Sequence, residues 1–363
     1  MNIRKVTFKD YKKIKNLFSR NNLKILNFDR WKNIWIQNPA FKKNWVKGWV
    51  LEDKKKIVGH FGSFPTEYIF NHKTYTCSVL HGWVVDKIYR SQSVLLLKKF
   101  FMQTDSDFFL STTTNFTASK IMTALNAKPV PVESLNYSRF IVLNTKNILN
   151  FFLRKKNIPF SKLISQSLSL LLNFIIKKKL DGWKTRYSIK NISKYNKIDK
   201  QFNLIWRQII KNNKKILLFV RNKNWLQWHL NFLLKNKKAW VFLSKDNKKV
   251  NGYSICIESS DNKDGIKRAL LIDLMLFKDT TEIPLSLINA NIAEAKRRKC
   301  DIIEFRGFNK LTNSYINYFN PNKKKLSNNS FYYKSSNTKL DKILNKSNHW
   351  YPTYLDGDTI INY

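Results

Sequence analysis

The sequence predicts an α/β (α+β) chain of two domains, on three observations. At 363 residues the chain is longer than one average domain and suits two. Strand-like and helix-like segments alternate in residues 1–145 and resume over 191–363, and the stretch between, 146–190, differs in character. Hydrophobic residues make up 43% and aromatics 14%, with 11 Trp and 26 Phe, enough to build cores and to exclude global disorder.

The first half opens with "NIRKVTF", a short strand. Thr7 and Asp10 follow at capping-box spacing, with Asp where Glu is usual. Tyr11, Ile14, Leu17 and Phe18 then form a helical stripe. After a stretch holding Trp31, Trp35, Trp45 and Trp49, "WVLED" reads as a strand and Lys54-Lys55 as a turn. "KIVGHFGSFPTEYIF" is the return of that hairpin and its continuation. "YTCSVLHGWVVD" is a long apolar strand that runs into the turn "YRSQSV" and a helix from about Ser93 to Met102. One more strand, "DFFLSTTTN", precedes a second helix in "FTASKIMTALNA".

In residues 146–190, clusters of Leu, Ile and Phe alternate with lysine clusters, and the apolar run is shorter than a bilayer needs. Apolar residues fall nearly all round, which predicts a helix packed on both halves, with an interfacial helix on anionic lipid as the alternative. From residue 191, "KKAWVFLSKDNKKVNGYSICIESS" reads as a hairpin turning at Asp246-Asn247, and "IKRALLIDLMLF" as a buried strand. Leu285, Ile288, Ile292 and Ala295 mark a helix, and "DIIEFRGF" a further strand. "SFYYK" and "WYPTYLDGDTIINY" are expected to add short strands and a tight Asp-Gly turn.

The net charge of +43 would attract polyanions: nucleic acid, anionic lipid, acidic glycans or coenzyme phosphates. Its lysines are scattered, and the abundance of Lys, Asn, Ile and Phe is what an AT-rich genome yields, so nucleic acid is not the favoured partner. Cys77, Cys256 and Cys300 are odd in number and far apart, which suits a reducing compartment and no disulfide framework. No zinc-ligand spacing is present, so no metal is expected. The N-terminus lacks a signal-peptide core, and no run of 18 uncharged apolar residues occurs. A cytoplasmic protein is expected, with peripheral contact at the inner face of an anionic membrane as an option.

The order strand, helix, meander, Tyr-Arg turn, helix, strand, helix, with "VVDKIYRSQS" at the turn, resembles the GCN5-related N-acyltransferases. That family binds the pyrophosphate of acyl-coenzyme A in a turn of Arg or Gln, two residues, Gly, one residue, Gly or Ala. Here Arg90 matches the first position, Ser93 stands at the first glycine and Leu95 at the second. Asn115 fits the family's helix-opening asparagine, with Ala118 and Ser119 after it; Asn126-Ala127 replaces the Gly-Phe end, and Met122 falls where a helical tyrosine often acts as acid. The second half resembles the same fold through "VNGYSICIE" and "LLIDLMLF", without the Arg turn. The resemblance implies two tandem domains, each a mixed, mostly antiparallel sheet flanked by helices, of the kind found among bacterial envelope-polysaccharide acyltransferases. The peptidoglycan-bridge aminoacyl transferases, which depend on transfer RNA, share the double fold. A degenerate pair that scaffolds or binds a polyanion is the reading without catalysis.

The chemistry so implied is acyl transfer from acetyl-CoA or another acyl-CoA to an amine, on an amino sugar or similar envelope precursor. The cofactor-binding candidates are Val85, Tyr89, Arg90, Ser91, Gln92, Ser93, Val94, Asn115 and Ser119, with Arg90 solvated or paired to Asp86 if the turn is only a connection. His81, on the strand leading into the turn, is a candidate base, with Glu67 and His60 on the preceding hairpin. Cys77 is a weaker candidate nucleophile. Asp356 and Asp358 in "YLDGDTI", and Asp273 in "LLIDLML", are candidates to hold the acceptor amine or sugar hydroxyls; each has an ordinary structural explanation as well.

Overall fold

The computed structural model describes residues 1–188, 191–246, 249–259, 264–277, 280–326 and 331–361. Local chemistry sets the entry: the Thr7 amide donates to Asp10 Oδ2 at 2.9 Å, closing the expected capping box. The helix that follows buries Ile14, Leu17 and Phe18.

In chain order the first stretch comprises β1 (Asn2–Lys5), α1 (Tyr11–Arg20), α2 (Phe28–Ile36), β2 (Gly48–Asp53), β3 (Lys56–Phe70), β4 (Lys73–Val85), α3 (Ser93–Phe101), β5 (Phe108–Ser111), α4 (Phe116–Ala124), β6 (Lys128–Pro129) and β7 (Tyr137–Val142). Two helices follow, α5 (Lys146–Lys155) and α6 (Ser161–Arg186). The remainder comprises β8 (Ile192–Tyr195), α7 (Gln201–Asn212), β9 (Leu218–Phe219), α8 (Lys223–Lys235), β10 (Ala239–Asp246), β11 (Lys249–Glu258), β12 (Arg268–Leu276), α9 (Glu282–Arg297), β13 (Ile302–Arg306), α10 (Lys310–Asn317), β14 (Asn322–Lys325), β15 (Tyr332–Lys334) and α11 (Thr338–Leu344). Asp246 ends β10; Asn247, expected at the same turn, lies outside the described residues.

Among the described residues the strands form two sheets, ordered β1-β2-β3-β4-β5-β15-β6, with β9 added on β3, and β14-β7-β13-β12-β11-β10-β8. Each contains one parallel step, β4 with β5 and β12 with β13, and is otherwise antiparallel. The mixed, mostly antiparallel sheets expected in both halves are therefore present.

The sheets do not divide where residues 145 and 191 would divide them. β7, from the first stretch, pairs with β13 in the second sheet, and β15, from the last stretch, lies between β5 and β6 in the first. One buried cluster runs from Val6 to Ile360 and joins the two halves. The segment Trp350–Asp358 is buried and, in place of the expected short strands, holds a single bridge of Trp350 with Leu217 and turns from Tyr354 onward.

The expectation of a middle helix packed on both halves is also corrected. α5 buries no residue, and α6 buries only Ser165, Ser169, Leu180 and Trp183. α6 is held at its end, where Trp183 meets Phe319 edge-on at 5.2 Å, and at mid-length, where Asn173 bonds Thr145 and Asn144 in the loop after β7. The inward positions Ser165 and Ser169 are four residues apart, one helical turn, while Leu168 between them and Leu170 and Leu171 after them are exposed.

Candidate active site

β4 and β5 pair in parallel only from Cys77↔Phe108 to Val79↔Leu110. β4 continues to Val85 while β5 stops at Ser111, so beyond this point the two strands no longer bond to each other. α3 and α4 both begin at this end of the pair. Helix starts beside the carboxyl ends of diverging parallel strands are a common place for a ligand.

An extra residue in β4 shapes the gap. From His60 to Gly62 β3 takes two steps, whereas β4 takes three, from Val84 to His81. The bulge falls at Gly82, at φ +60°, where a Cβ would lie 3.2 Å from the Phe18 ring. The Gly82 carbonyl is bonded by His60 Nδ1 at 2.8 Å. Burial pushes the His60 imidazole down to about 4, so it is neutral at pH 7 and donates from Nδ1.

His81 stands at the edge of the bulge and is 5% exposed. Its Nδ1 lies 3.2 Å from Asp358 Oδ2, contributed by the segment that crosses the gap. Thr112 and Thr113, just past β5, donate to Asp358 Oδ1 at 3.0 and 3.1 Å. Gly357 makes the approach feasible: at φ +76°, a Cβ there would strike the Thr112 side chain at 2.4 Å. With Asp358 accepting, the His81 proton sits on Nδ1 and the Nε2 lone pair is left to take a proton. Chemically, an imidazole held in this way by a carboxylate is suited to accept a proton.

The other predicted residues are placed as follows. Glu67 accepts from Trp225 Nε1 at 3.1 Å and lies five residues beyond Gly62 on β3, about 17 Å away at strand spacing. It is not brought to His81. Cys77 is fully buried and burial pushes its thiol well up, which removes it as a nucleophile. Asp273 and Asp356, expected to hold an acceptor, are instead sealed around Arg221, itself 0% exposed. Arg221 Nε donates to Asp273 at 3.0 Å and Nη2 lies 3.9 Å from Asp356. Tyr253 donates to Asp273 and Tyr68 to Asp356. Burial pushes both carboxyls up against the pull of Arg221, while Arg221 is raised by the two carboxylates despite burial.

The expected turn is present: residues Lys87–Gln92 wind as a 3-10 helix that continues into α3. The Tyr89 and Ser93 amides are engaged by the Asp86 and Arg90 carbonyls. Tyr89 Oη donates to Asp53 at 2.8 Å, and Ser93 Oγ to the Arg90 carbonyl. Asp86 belongs to Arg20 and Asn21, not to Arg90. Arg90 and Ser91 are exposed, Gln92 and Val94 half-buried, and Val85 buried. Asn115 caps α4 by accepting from the Ala118 amide at 2.9 Å, and the Ser119 hydroxyl donates to the Phe116 carbonyl.

Sequence reasoning missed Arg221, Thr112, Thr113 and Asn309. A lone arginine ending the apolar run "ILLFV" was the signal for Arg221. For Asn309, the signal was its place after "DIIEFRGF", matching Asn115 after "DFFLSTTT".

No family model matches the sequence, and no curated protein does. Solved structures match along most of the chain. A conserved protein of unknown function from Enterococcus faecalis V583, described as a probable N-acyltransferase, is similar over 92% of this chain and 72% of its own, at 10% identity and TM-score 0.57. A GCN5-related N-acetyltransferase from Anabaena variabilis is similar over 93% and 73%, at 10% identity and TM-score 0.56. Saccharomyces cerevisiae N-myristoyltransferase with bound myristoyl-CoA and inhibitors is similar over 92% and 80%, at 12% identity and TM-score 0.53. The tandem fold of the GCN5-related acyltransferases, expected from the sequence, is the fold of this chain.

Proposed function

We propose that the protein is an acyl-CoA-dependent N-acyltransferase acting in the cytoplasm on an amino sugar or a related cell-envelope polysaccharide precursor. The observation that carries the reading is the His81–Asp358 pair set in the gap between the parallel strands β4 and β5. The fold supports it, since structures sharing the fold include an N-myristoyltransferase with myristoyl-CoA bound. The envelope acceptor is carried by the resemblance in sequence order alone.

In this reading His81 Nε2 removes a proton from the acceptor ammonium, and Asp358 holds the imidazole in the tautomer that can accept it. The amine nitrogen attacks the thioester carbonyl, the C–N bond forms and the C–S bond breaks, and the nitrogen's second proton is released to water. The imidazolium returns its proton to the departing thiolate, a role Met122 cannot fill. Arg90, Ser91, Gln92 and Val94, with the start of α4 at Asn115 and Ser119, hold the phosphates of the donor.

The test is calorimetric titration with acetyl-CoA at two salt concentrations, beside thiol-release assays on amines including glucosamine. One-site binding that survives the higher salt and weakens on the order of tenfold in Arg90→Ala is expected. Asp358→Asn is expected to lower turnover about 100-fold or more and to alter its pH profile, with donor affinity unchanged. Binding that fades with salt and ignores Arg90 would overturn the reading.

A further inference from the structure

The α5–α6 hairpin is built inside out. Before Leu180 and Trp183 near its end, the buried positions of α6 are Ser165 and Ser169, whose hydroxyls donate to the carbonyls of Lys162 and Gln166 in their own helix. The outward positions are apolar: Leu163, Leu170, Leu171 and Phe174 are each more than 60% exposed, and Phe160 at the tip is 77% exposed. Ten of the twenty-two large hydrophobic side chains exposed among the described residues fall between Phe152 and Ile175. Apolar patches of this kind on a folded surface mark a contact to be made.

The surrounding charge says with what. Between residues 146 and 188 there are ten basic residues and one acidic residue, Asp181. Arg154, Lys155, Lys156 and Lys162 bracket the tip, and Lys177, Lys178 and Lys179 follow the leucines; all are exposed. Two copies meeting through this face would set those cations against each other. A nucleic acid would meet the lysines and could stack on Phe160 or Phe174, but it would leave the larger aliphatic share of the face, Leu163, Leu168, Leu170, Leu171, Leu172 and Ile175, without a partner. A surface that is anionic outside and apolar beneath matches both features.

Length decides how the hairpin sits. The uncharged run Leu163–Ile176 has fourteen residues. At helical rise this is about 21 Å, short of the roughly 30 Å of a hydrocarbon core. No helix among the described residues is long and apolar enough to cross a membrane. A helix of this kind lies in the interface, with leucines down and lysines among the headgroups.

We propose that the α5–α6 hairpin docks the protein on an anionic membrane surface through Phe160, Leu163, Leu170, Leu171 and Phe174, with the flanking lysines on lipid phosphates. The inference does not depend on the acyltransfer reading.

The test is flotation of the full chain with vesicles of phosphatidylcholine alone or with about one-third phosphatidylglycerol. Binding is expected only to the anionic vesicles. Leu170→Gln/Leu171→Gln/Phe174→Gln is expected to abolish it while leaving circular dichroism and the thermal midpoint unchanged, because these side chains are exposed. Lys177→Gln/Lys178→Gln/Lys179→Gln is expected to weaken partition on the order of 100-fold, from about tenfold or less for each lysine. Equal recovery of wild type and the apolar variant with anionic vesicles would overturn the proposal. So would sedimentation of wild type as a dimer that the same apolar variant makes monomeric, with no vesicle binding, which would assign the face to a second copy.

Discussion

The two sheets follow one scheme and finish it differently. In each, a hairpin carries an extra residue in its second strand, at Gly82 in β4 and at Ile272 in β12. A parallel strand comes next, and an asparagine caps the helix after it, Asn115 in one case and Asn309 in the other. The segment Trp350–Asp358 closes both gaps: Phe308, past β13, donates to the Pro352 carbonyl, and Thr112, past β5, to Asp358. What differs is the group each gap encloses. The first holds a histidine whose Nδ1 faces Asp358; the second holds Asp273, whose Oδ2 accepts from both Arg221 and Tyr253 while its buried Oδ1 has no hydrogen-bond partner. The same backbone thus frames the proposed reaction site in one half and a buried ion-pair clamp in the other, and the side chain beside the bulge sets the difference.

The clamp is the sharper half to break. Arg221→Met leaves Asp273 and Asp356 buried without their cation and is expected to cost about 3–5 kcal/mol in urea unfolding. A loss below about 1 kcal/mol would mean that the second gap is not what joins the sheets.

Acid gives the next largest effect. His60 on β3 and His229 on α8 are buried and neutral, pushed down to about 4 and about 3 by burial, His229 also by Arg221. Below about pH 6.5 the unfolded chain takes up protons that the folded imidazoles refuse, so stability falls with pH until each folded value is reached. Between pH 6.5 and 5 each is expected to contribute a loss of about 2 kcal/mol. Unfolding of His60→Gln and His229→Gln at both pH values separates the two contributions. An unchanged slope in either variant would show that its imidazole is hydrated.

The smallest effect tests the pairing of the halves directly. Asn115→Ala and Asn309→Ala each remove a helix cap and are expected to cost about 1 kcal/mol, read as similar drops in thermal midpoint. Only Asn115→Ala should also weaken acetyl-CoA. Equal weakening by both would make the second gap a donor site as well.

Most strands and helices were legible because their periodicity and turn residues are local. Strand β4, the capping box at Thr7 and the helix after Asn115 all announce themselves within a dozen residues. The site was legible only in part. His81 could be singled out as an imidazole on a strand, but its partner Asp358 is far along the chain, in an Asp-Gly pair that reads equally well as a hairpin turn. Asp273 and Asp356 looked like acceptor contacts because nothing local reveals that Arg221 reaches them. The middle segment misled for a related reason: a helix apolar nearly all round reads as buried, and only packing shows that its serines turn inward.

The traded strands β7 and β15 bear on how the chain reaches this state. Tyr332 pairs with Ser111 across about 220 residues, and Arg306 with Ser138 across about 170. Such ladders form late, because long loops must close before the contacts repay them, and ordered β5 and β13 edges stay unpaired until then. Slow, cooperative folding of the whole chain follows, with a window in which open edges invite aggregation. Neither half made separately would be a domain: each would lack an inner strand of its own sheet.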